Sequence, residues 1–554
     1  KLQPPDLAPI PSTALRPPKI GPHGHGKPCK PSAMARRGMQ PHPICPEFCD
    51  MSSTAFPSFA DQCGINTQAR QAEVQRVLAL AQASGLAWIR LVWCDVHGSL
   101  RGKTWVTSEL ATAFAQGMGM VSTLMLKDTS DRTVYKVFEA DVKHELPGFE
   151  GASNVMLLPD PSTFKILPWA EKTGWLLCQP WFPTGQVVSY DSRRILQTAL
   201  EKLAAKGWGM RCGLEVEFHI YKLKDAEHGD DADPAQAAWP GPAPEVSMIH
   251  PGYNLLNELW FDRAEPALRI VKQTAQDLGL PLLSLEIELG PSQVEAVFKA
   301  TDAMTAADNM VLFRSAIKQA LRRAGYHATF MCRPPFENIM SSGWHLHQSL
   351  YDLQTGQNLF ARTTAQDIQE AQSLRADDAC HTLSKIGATY LAGLLAHGQG
   401  MTSLCTTTVN GFGRFKPNAL APQSILWGHD NRGAMLRVVG GPGDAGTRIE
   451  NRMGEPAANP YLYMASQILA GLDGIENDLT APFATEAPYA ESAERLPLTL
   501  GDALARLGDD PILSAGLGAD FVRYYQRIKQ SEQSRFNDAE DKVEFQRREY
   551  FSRI

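Results

Sequence analysis

The sequence predicts an α+β fold in which a small N-terminal domain precedes a larger one. Its 554 residues exceed the usual size of a single domain. Short runs of branched and aromatic residues dominate residues 86–182, whereas strand-like runs alternate with long helical periodicities after residue 191. We therefore predict a strand-rich domain at 68–185 and a second domain at 186–554.

The composition argues against several classes of function. The chain carries 53 Lys and Arg against 60 Asp and Glu, a net charge of −7 without basic blocks. Neither nucleic acid nor a membrane surface is therefore expected as a partner. No run approaches the ~18 consecutive apolar residues of a membrane-spanning helix. Ten cysteines, mostly isolated, are typical of a reduced cytoplasmic protein. Small molecules are the expected ligands.

Residues 1–50 differ from the rest of the chain. They hold 12 of the 38 prolines and almost no periodic apolar pattern, so we predict a disordered leader. Because Met51 stands just before the first globular-looking sequence, two interpretations stay open: a native leader, or residues that do not belong to the natural protein. His42, Cys45 and Cys49 could form a metal cluster, but their Pro-rich context favours accidental spacing.

The small domain is predicted to begin with a helix and a hairpin. Apolar residues recur at helical spacing over 68–83, and Gly85 follows as a stop. Residues 86–96 and 103–107 are rich in branched and aromatic side chains, and 97–102 lie between them as a turn. This arrangement predicts two antiparallel strands.

The larger domain is predicted to open with a helix over 191–205, capped by Asp191 and followed by a glycine stop. A second long helix is predicted over 302–324, where the apolar stripe ends at Gly325. Strands alternate with helices from there, and the sequence has no internal repeat. The boundary between the domains is predicted near 183–190.

Acidic residues inside an apolar strand are the most informative chemical signal. Side chains alternate between the faces of a strand, so Glu215 and Glu217 project from one face while Val216 and Phe218 cover the other. Two carboxylates at one site repel each other and are costly to bury. A cation beside them is the natural compensation.

The same pattern recurs twice. Glu288 ends one strand-like run, and a Gly-Pro turn returns the chain so that Glu295 approaches it. Further on, Arg448, Glu450 and Arg452 share one strand face. A solvated strand face explains any single pair equally well, but three such strands together favour an inward-facing charged site.

A histidine pair adds to these acids. His345 and His347 alternate onto one strand face in the same manner. Carboxylate oxygens outnumber nitrogen ligands and sulfur is absent from the motifs, so the expected metal is Mg²⁺ or Mn²⁺ rather than zinc.

Arginines supply the complementary charge among Gly- and Pro-rich turns. Guanidinium groups suit carboxylate and phosphate oxygens. Together with divalent ions they predict a site for a nucleotide polyphosphate and an anionic co-substrate, although no P-loop motif is present. The clustered residues are Arg414, Arg432, Arg437, Arg448 and Arg452.

In order and spacing, these motifs resemble the glutamine synthetase family. The resemblance covers residues 68–554 and includes a further motif around Asp95 in the small domain. The motifs are residues 215–218, Glu288 with 290–295, 343–349, 431–432, 448–452 and 455–461.

The resemblance implies a β-grasp N-terminal domain and a catalytic domain whose antiparallel strands line a funnel. It implies ATP and two or three Mg²⁺ or Mn²⁺ ions per site. It also implies a homo-oligomer, usually a dodecamer of two hexameric rings, in which Asp95 reaches into the neighbouring subunit's site. The implied ligands are Glu217, Glu288 and Glu295 for one ion, and Glu215, His345 and Glu450 for the second.

By the same correspondence, Arg414 and Arg452 would bind the α-carboxylate of glutamate and Arg432 the transferred phosphoryl group. The implied catalytic residues are Asp95, Arg432 and Glu217, and the implied nucleotide contacts are His347, Ser349, Arg437 and Arg448. The activity that follows is the ligation of the glutamate γ-carboxylate to an amine through γ-glutamyl phosphate.

Two departures from the family pattern bear on the amine. Leu420 stands where ammonia-using relatives carry a glutamate, and Trp344 replaces the usual methionine before the metal histidine. We assign both to substrate binding. Residues 415–418 and 440–444 resemble the corresponding segments of γ-glutamyl amide ligases, of the γ-glutamylanilide synthase branch, and this resemblance implies an aromatic amine as substrate. An arylamine is mostly neutral at pH 7 and needs no such carboxylate, which agrees with Leu420. Ammonium, or an aliphatic amine or polyamine, is the alternative.

Overall fold

The computed structural model describes residues 57–139, 141–224, 238–417, 419–490 and 492–554. The predicted leader, with His42, Cys45 and Cys49, lies outside the described residues, and so does Asn418. Within them, strands form two separate sheets and helices pack around them. The predicted α+β class is therefore confirmed.

The N-terminal sheet is built around the predicted hairpin. Strands β1 (Trp88–Cys94) and β2 (Leu100–Val106) pair antiparallel. The remaining strands of this sheet are β3 (Met118–Val121), β4 (Asn154–Pro159), β5 (Lys165–Ile166) and β6 (Thr173–Trp181). The strand order is β2-β1-β6-β4-β3, with β5 beside β6. Because β6 lies inside the sheet, nearly all of its residues are buried, and most of them are apolar.

Four helices accompany this sheet. Helix α2 begins after Thr67, whose hydroxyl accepts the Arg70 N–H at 3.2 Å, and it has the predicted bounds. The four are α1 (Phe59–Gln62), α2 (Gln68–Ala83), α3 (Leu110–Gln116) and α4 (Val142–Glu145).

The larger sheet is mostly antiparallel and positions the candidate site. Its strands are β7 (Trp208–Leu223), β8 (Val246–Met248), β9 (Leu282–Ile287), β10 (Gln293–Asp302), β11 (Tyr326–Thr329), β12 (Trp344–Asp352), β13 (Trp427–His429), β14 (Leu436–Val439) and β15 (Arg448–Asn451). The order is β13-β14-β15-β12-β7-β10-β9, with β8 and β11 also on β7. All three predicted acidic segments therefore enter one sheet, two of them as neighbours of β7 or β12.

Helices cover this sheet. They are α5 (Ser192–Ala204), α6 (Glu258–Asp277), α7 (Ala303–Arg323), α8 (Ala365–Gln372), α9 (Ala379–Thr382), α10 (Lys385–Ala396), α11 (Gly398–Cys405), α12 (Pro460–Glu476), α13 (Leu500–Asp509), α14 (Pro511–Leu517), α15 (Ala519–Asp538) and α16 (Lys542–Gln546), followed by a π-helical turn at Arg547–Phe551. Asp191 and Asp302 cap α5 and α7, so both predicted helices form one residue inside their predicted ends.

Glycine residues allow helices α10 and α12 to pack closely. Gly393 packs against the backbone of α12, where an added Cβ would lie 2.1 Å from the Ala470 carbonyl oxygen. Beyond the end of α10, His397 lies between two carboxylates, with Nδ1 2.8 Å from Asp510 and Nε2 3.0 Å from Asp473. Although burial opposes it, these hydrogen bonds raise the pKa of His397.

Charged contacts tie the end of the chain to the N-terminal region. Arg535 on α15 lies 3.0 Å from Asp128 and 2.6 Å from Glu549. Glu549 also accepts hydrogen bonds from Thr129 and Ser130 in the loop that follows β3. Because these groups are buried and charge-assisted, they fix this loop against the C-terminal helices.

No helix in the described part of the chain combines the length and apolar character needed to cross a membrane. The seven cysteines that the structure describes are free thiols.

Candidate active site

Strand register brings the predicted acids together. Glu215 on β7 lies opposite His345 on β12, and Glu217 lies opposite Glu295 on β10. On the other side of β12, His347 lies opposite Glu450 on β15. Residues directly opposite in an antiparallel pair have adjacent side chains. Three neighbouring strand pairs therefore place their charged side chains on one face.

The histidines lie among the carboxylates. His345 Nδ1 is 3.5 Å from Glu215 and 3.8 Å from Glu450, and its Nε2 is 3.9 Å from Glu217. His347 Nε2 is 2.9 Å from Glu215 but has no hydrogen bond of acceptable geometry. Both side chains are about 8% exposed. These are five potential metal ligands in direct contact.

At one end of the cluster, Glu217, Glu288 and Glu295 crowd together with no arginine or lysine side chain paired to them among the described residues. Burial and the neighbouring Glu217 raise the pKa values of Glu288 and Glu295 well above the usual range of a glutamate. Glu217 itself accepts N–H groups from Gln293 and Gly343, each at 2.9 Å. Crowded, desolvated carboxylates of this kind fit a divalent cation.

The opposite end of the cluster is electrically compensated. Burial acts against ionisation of Glu215, but the adjacent His345 and His347 side chains hold its pKa well below the usual range. For Glu450, the charges of His345 and Arg452 outweigh burial and lower the pKa to about 2. Both carboxylates are therefore ionised at neutral pH and available to a metal.

Two groups of three ligands lie close enough to share an ion. In each group the ligand atoms lie within 4.8 Å of one another. The groups are Glu215, His347 and Glu450, and Glu215, Glu295 and His345. The structure thus brings the expected metal ligands into one cluster, with Glu215 common to both groups. How the ligands divide between ions stays a prediction.

Arginines border the cluster on β14 and β15. Arg437 donates to Glu450 at 2.9 Å and to Asp430 through Nε at 2.9 Å. Arg452 forms an ion pair with Glu450 and donates to the Arg432 carbonyl at 3.0 Å. Asp430 carries no motif in the sequence, and its contact depends on a left-handed backbone at φ 49°. Sequence reasoning therefore missed it.

Arg414 differs from these arginines because no carboxylate of the described residues lies within salt-bridge distance. It is 5% exposed, donates to the Arg452 carbonyl at 2.7 Å and approaches His345 Nε2 at 3.4 Å. Burial lowers its pKa. A buried guanidinium without a counter-ion beside the acidic cluster is suited to a carboxylate ligand.

The predicted nucleotide residues surround the far side of the cluster. Arg448 donates to His347 Nδ1 at 3.0 Å, and Ser349 follows on the same face of β12. Arg432 is exposed and lines an open cleft with His429 and Asp430. Its side chain does not join the metal cluster.

Trp344 does not line the cleft. Its side chain is fully buried and packs edge-to-face on Tyr463, with ring centroids 5.1 Å apart. Alternation along β12 places it on the face opposite His345. The assignment of the Trp344 side chain to substrate binding is therefore corrected to a core position.

Asp95 stabilises the turn of its own hairpin. Oδ1 accepts the N–H groups of His97 at 3.0 Å and Ser99 at 2.9 Å, and Oδ2 accepts Arg101 Nε at 2.7 Å. The side chain is 3% exposed. Asp95 therefore stabilises its own turn, and its expected role at the site of a neighbouring subunit stays a prediction.

Leu420 lies at the edge of the site. Its residue is 56% exposed, its backbone has φ 51°, and its carbonyl accepts Arg452 Nη2 at 3.3 Å. Tyr489 donates to the adjacent Ala421 carbonyl at 3.1 Å. The Leu420 main chain therefore contacts Arg452, and an exposed apolar side chain stands at this edge of the site.

Comparison with known proteins agrees with this geometry. The protein-family model of the glutamine synthetase catalytic domain matches residues 189–548 of this chain. The chain belongs to the glutamine synthetase family. It is therefore an ATP-dependent carboxylate–amine ligase of the glutamine synthetase type, as predicted.

Named relatives of this ligase differ in their amine. A γ-glutamylanilide synthase from Acinetobacter is 37% identical over 86% of this chain and 93% of its own length. A glutamate–isopropylamine ligase from Pseudomonas is 29% identical over 82% and 94%. The glutamine synthetase of Methanosarcina mazei is 29% identical over 82% and 93%.

Solved structures support the fold assignment. A structure described as a GmaS–ADP complex matches this chain with a TM-score of 0.67 and 25% identity, covering 84% of this chain and 97% of that one. The predicted glutamine synthetase-like architecture is confirmed.

Proposed function

We propose that this ligase joins the γ-carboxylate of L-glutamate to an aromatic amine such as aniline. The observation that carries the proposal is the cluster of carboxylates and histidines bordered by Arg414, Arg437 and Arg452, with apolar Leu420 at its edge. The 37% identity to a γ-glutamylanilide synthase supports the choice of amine.

Different arginines would bind the two anionic substrates, glutamate and ATP. Arg414, which is buried and has no carboxylate partner among the residues that the structure describes, would bind the α-carboxylate of glutamate together with Arg452. Arg437 and Arg448, with His347 and Ser349, would bind the nucleotide. The γ-carboxylate attacks the γ-phosphorus of ATP and releases ADP, and the guanidinium of Arg432 would neutralise charge on the phosphoryl oxygens.

The proposed metal ligands are Glu215, Glu217, Glu288, Glu295, His345 and Glu450. Two or three Mg²⁺ or Mn²⁺ ions held there would neutralise phosphate and carboxylate oxygens. In the free protein, burial and neighbouring carboxylates raise the pKa values of Glu288 and Glu295. A cation bound beside them would offset this repulsion.

The amine then attacks the acyl carbon of γ-glutamyl phosphate and displaces phosphate. Aniline is neutral at pH 7, so its nitrogen lone pair is free before the attack and no carboxylate is needed to deprotonate it. The proton that the nitrogen loses as the amide forms would pass to the released phosphate or to water. The exposed Leu420 suits an aryl ring, whereas an ammonium ion would gain nothing from it. Isopropylamine, which the Pseudomonas relative is named for, is the second candidate because its alkyl group is also apolar.

The test is a product assay with glutamate, ATP and Mg²⁺, offering aniline, isopropylamine or ammonium at matched concentrations. We expect ADP release to depend on aniline and the γ-glutamylanilide to appear by mass spectrometry. Leu420→Glu should increase the ammonium to aniline ratio, while Leu420→Met serves as the size-matched apolar control. Glutamine formed at a rate comparable to the anilide would contradict the proposal.

Three further proposals concern assembly and location. A homododecamer of two hexameric rings, with sites between subunits, follows the family pattern, and light scattering of the purified protein tests it. A cytoplasmic location is supported by the free thiols of the described residues, and fractionation of cells tests it. Domains at 68–185 and 186–554 could be tested by limited proteolysis.

A further inference from the structure

A second basic site lies outside the candidate active site. A cavity of about 240 Å³ opens between the β1–β2 turn, helix α7 and the last residues of the chain. Three cationic side chains line it, Arg314 and Lys318 from α7 and Arg553 from the C-terminal segment. Among the described residues that line the cavity there is no aspartate or glutamate.

Arg314 provides charge at the base of this cavity. It is 8% exposed and donates to three backbone carbonyls, those of Pro456 and Ala458 at 2.8 Å and Gly98 at 3.1 Å. Gly98 has φ 78°, and a Cβ there would lie 2.6 Å from Arg314 Nη2, so the turn requires glycine for this approach. All these acceptors are neutral, and no carboxylate of the described residues forms an ion pair with Arg314. Burial lowers its pKa, and the more distant Asp95 and Glu455 offset this only in part.

Lys318 supplies unused donors. In the described part of the chain, its Nζ has one hydrogen bond, to the Ser552 carbonyl at 3.4 Å. An ammonium group has three N–H donors, so two remain free. Burial, together with the charges of Arg314 and Arg553, lowers the pKa of Lys318 to about 7. The surrounding positive charge also includes Arg322 on α7, and the pKa of His327 on β11 is lowered by burial and by Lys318.

Most of the other buried Arg and Lys side chains in the described part of the chain are paired with a carboxylate. Among the described residues, four of the six buried Arg and Lys side chains have a carboxylate within 4 Å, namely Arg193, Arg362, Arg452 and Lys529. The two that do not are Arg414, which faces the candidate substrate site, and Arg314. A buried cation without a protein counter-ion is costly unless a ligand supplies one.

We propose that this cavity is a binding site for a small multivalent oxyanion, with Lys318 and Arg553 as its direct ligands and Arg314 as the charge behind them. The cavity is smaller than the ~300–1,000 Å³ of pockets for drug-sized ligands, so phosphate or a short dicarboxylate fits and a nucleotide does not. The bound anion would tie the β1–β2 turn to α7 and the C-terminal segment.

Isothermal titration of the full-length protein with sulfate tests the site, since sulfate does not titrate near neutral pH. Chloride at equal ionic strength is the reference. We expect Lys318→Met to weaken sulfate binding about ten-fold or more, because it removes one charge-assisted hydrogen bond. Lys318→Arg should retain binding, and Lys202→Met, which removes an exposed charge on α5, should leave it unchanged.

Arg553→Met is the second variant, because Arg553 is exposed and its replacement does not disturb the core. It should weaken sulfate binding by a similar factor while ADP formation at saturating substrates stays unchanged. Titrations with phosphate and with succinate then identify which class of oxyanion the site prefers. Absence of sulfate binding, or binding that is equal in the wild type, Lys318→Met and Arg553→Met, would overturn the proposal.

Discussion

The crowding of carboxylates around Glu295 predicts that the effect of Glu295→Gln on stability has opposite signs without and with Mg²⁺. Glu295→Gln replaces the carboxyl with a neutral group of the same shape. Without divalent cations, the variant should be more stable than the wild type, because the repulsion from Glu217 and Glu288 is removed. With Mg²⁺, it should be less stable, because a proposed ligand is lost.

The magnitude follows from proton linkage. Burial and neighbouring acids raise the pKa of Glu295 above neutrality, so the folded protein binds a proton at pH 7 that the unfolded chain, with a pKa of about 4.3, does not. Stability is then lost as pH rises from about 4.3 toward the folded pKa. At pH 7 the loss is roughly 2–4 kcal/mol, which for a chain of this length corresponds to roughly 2–4 °C in Tm.

Differential scanning fluorimetry in EDTA and in Mg²⁺, at pH 6 and pH 8, provides the assay. The wild-type Tm in EDTA should fall more steeply with pH than that of Glu295→Gln, and the order of the two should reverse when Mg²⁺ is added. Glu201→Gln, an exposed position on α5, is the matched control. A variant that is less stable than the wild type in EDTA at pH 8 would refute the reasoning.

Three other predictions concern single residues. Glu217→Ala should abolish metal-dependent phosphate release, measured by a phosphate assay with glutamate and aniline. His397→Gln should lower the free energy of unfolding by about 3 kcal/mol below pH 6.5, because it removes the charge-assisted hydrogen bonds to Asp473 and Asp510. The loss should become smaller as pH rises through the raised pKa of His397, as measured by urea unfolding. Gly393→Ala should destabilise the protein by about 3 kcal/mol or more through overpacking, whereas Gly501→Ala on α13 should stabilise it slightly.

Each has a result that would count against it. Phosphate release by Glu217→Ala at the wild-type rate would mean that this carboxylate holds no essential ion. A pH-independent loss in His397→Gln would mean that its ionisation does not contribute to stability. Equal changes in stability for Gly393→Ala and Gly501→Ala would mean that α10 and α12 can move apart to accommodate the added methyl group.

Local signals predicted much of the fold. The helices at 68–83, 191–205 and 302–324 were placed within a residue, because their capping side chains are visible in the sequence. Strand alternation also predicted that Glu215 and Glu217 share a face. The strand register in the structure then shows that His345 and Glu295 lie opposite them. The pairing of β7 with β10 and β12 joins segments distant in the chain, so spacing alone could not establish it.

The errors at the site have physical causes. Trp344 precedes His345 by one residue, so alternation places it on the opposite face, and only family resemblance had assigned it to the substrate. The contacts of Asp95 within its own turn depend on the turn geometry, and its expected catalytic role stays a prediction. Asp430 reaches Arg437 because its backbone is left-handed, and no side-chain pattern signals that conformation. The domain boundary stays a prediction.

The loop at Leu420 is anchored by its main chain. Arg452 donates to the Leu420 carbonyl and forms an ion pair with Glu450 through the same guanidinium, while the leucine side chain takes part in neither contact. Any amino acid that tolerates this backbone conformation can preserve the anchor. Evolution could therefore exchange the side chain that meets the incoming nitrogen compound while the phosphate-activating machinery stayed intact, which makes one scaffold a source of enzymes for many nucleophiles.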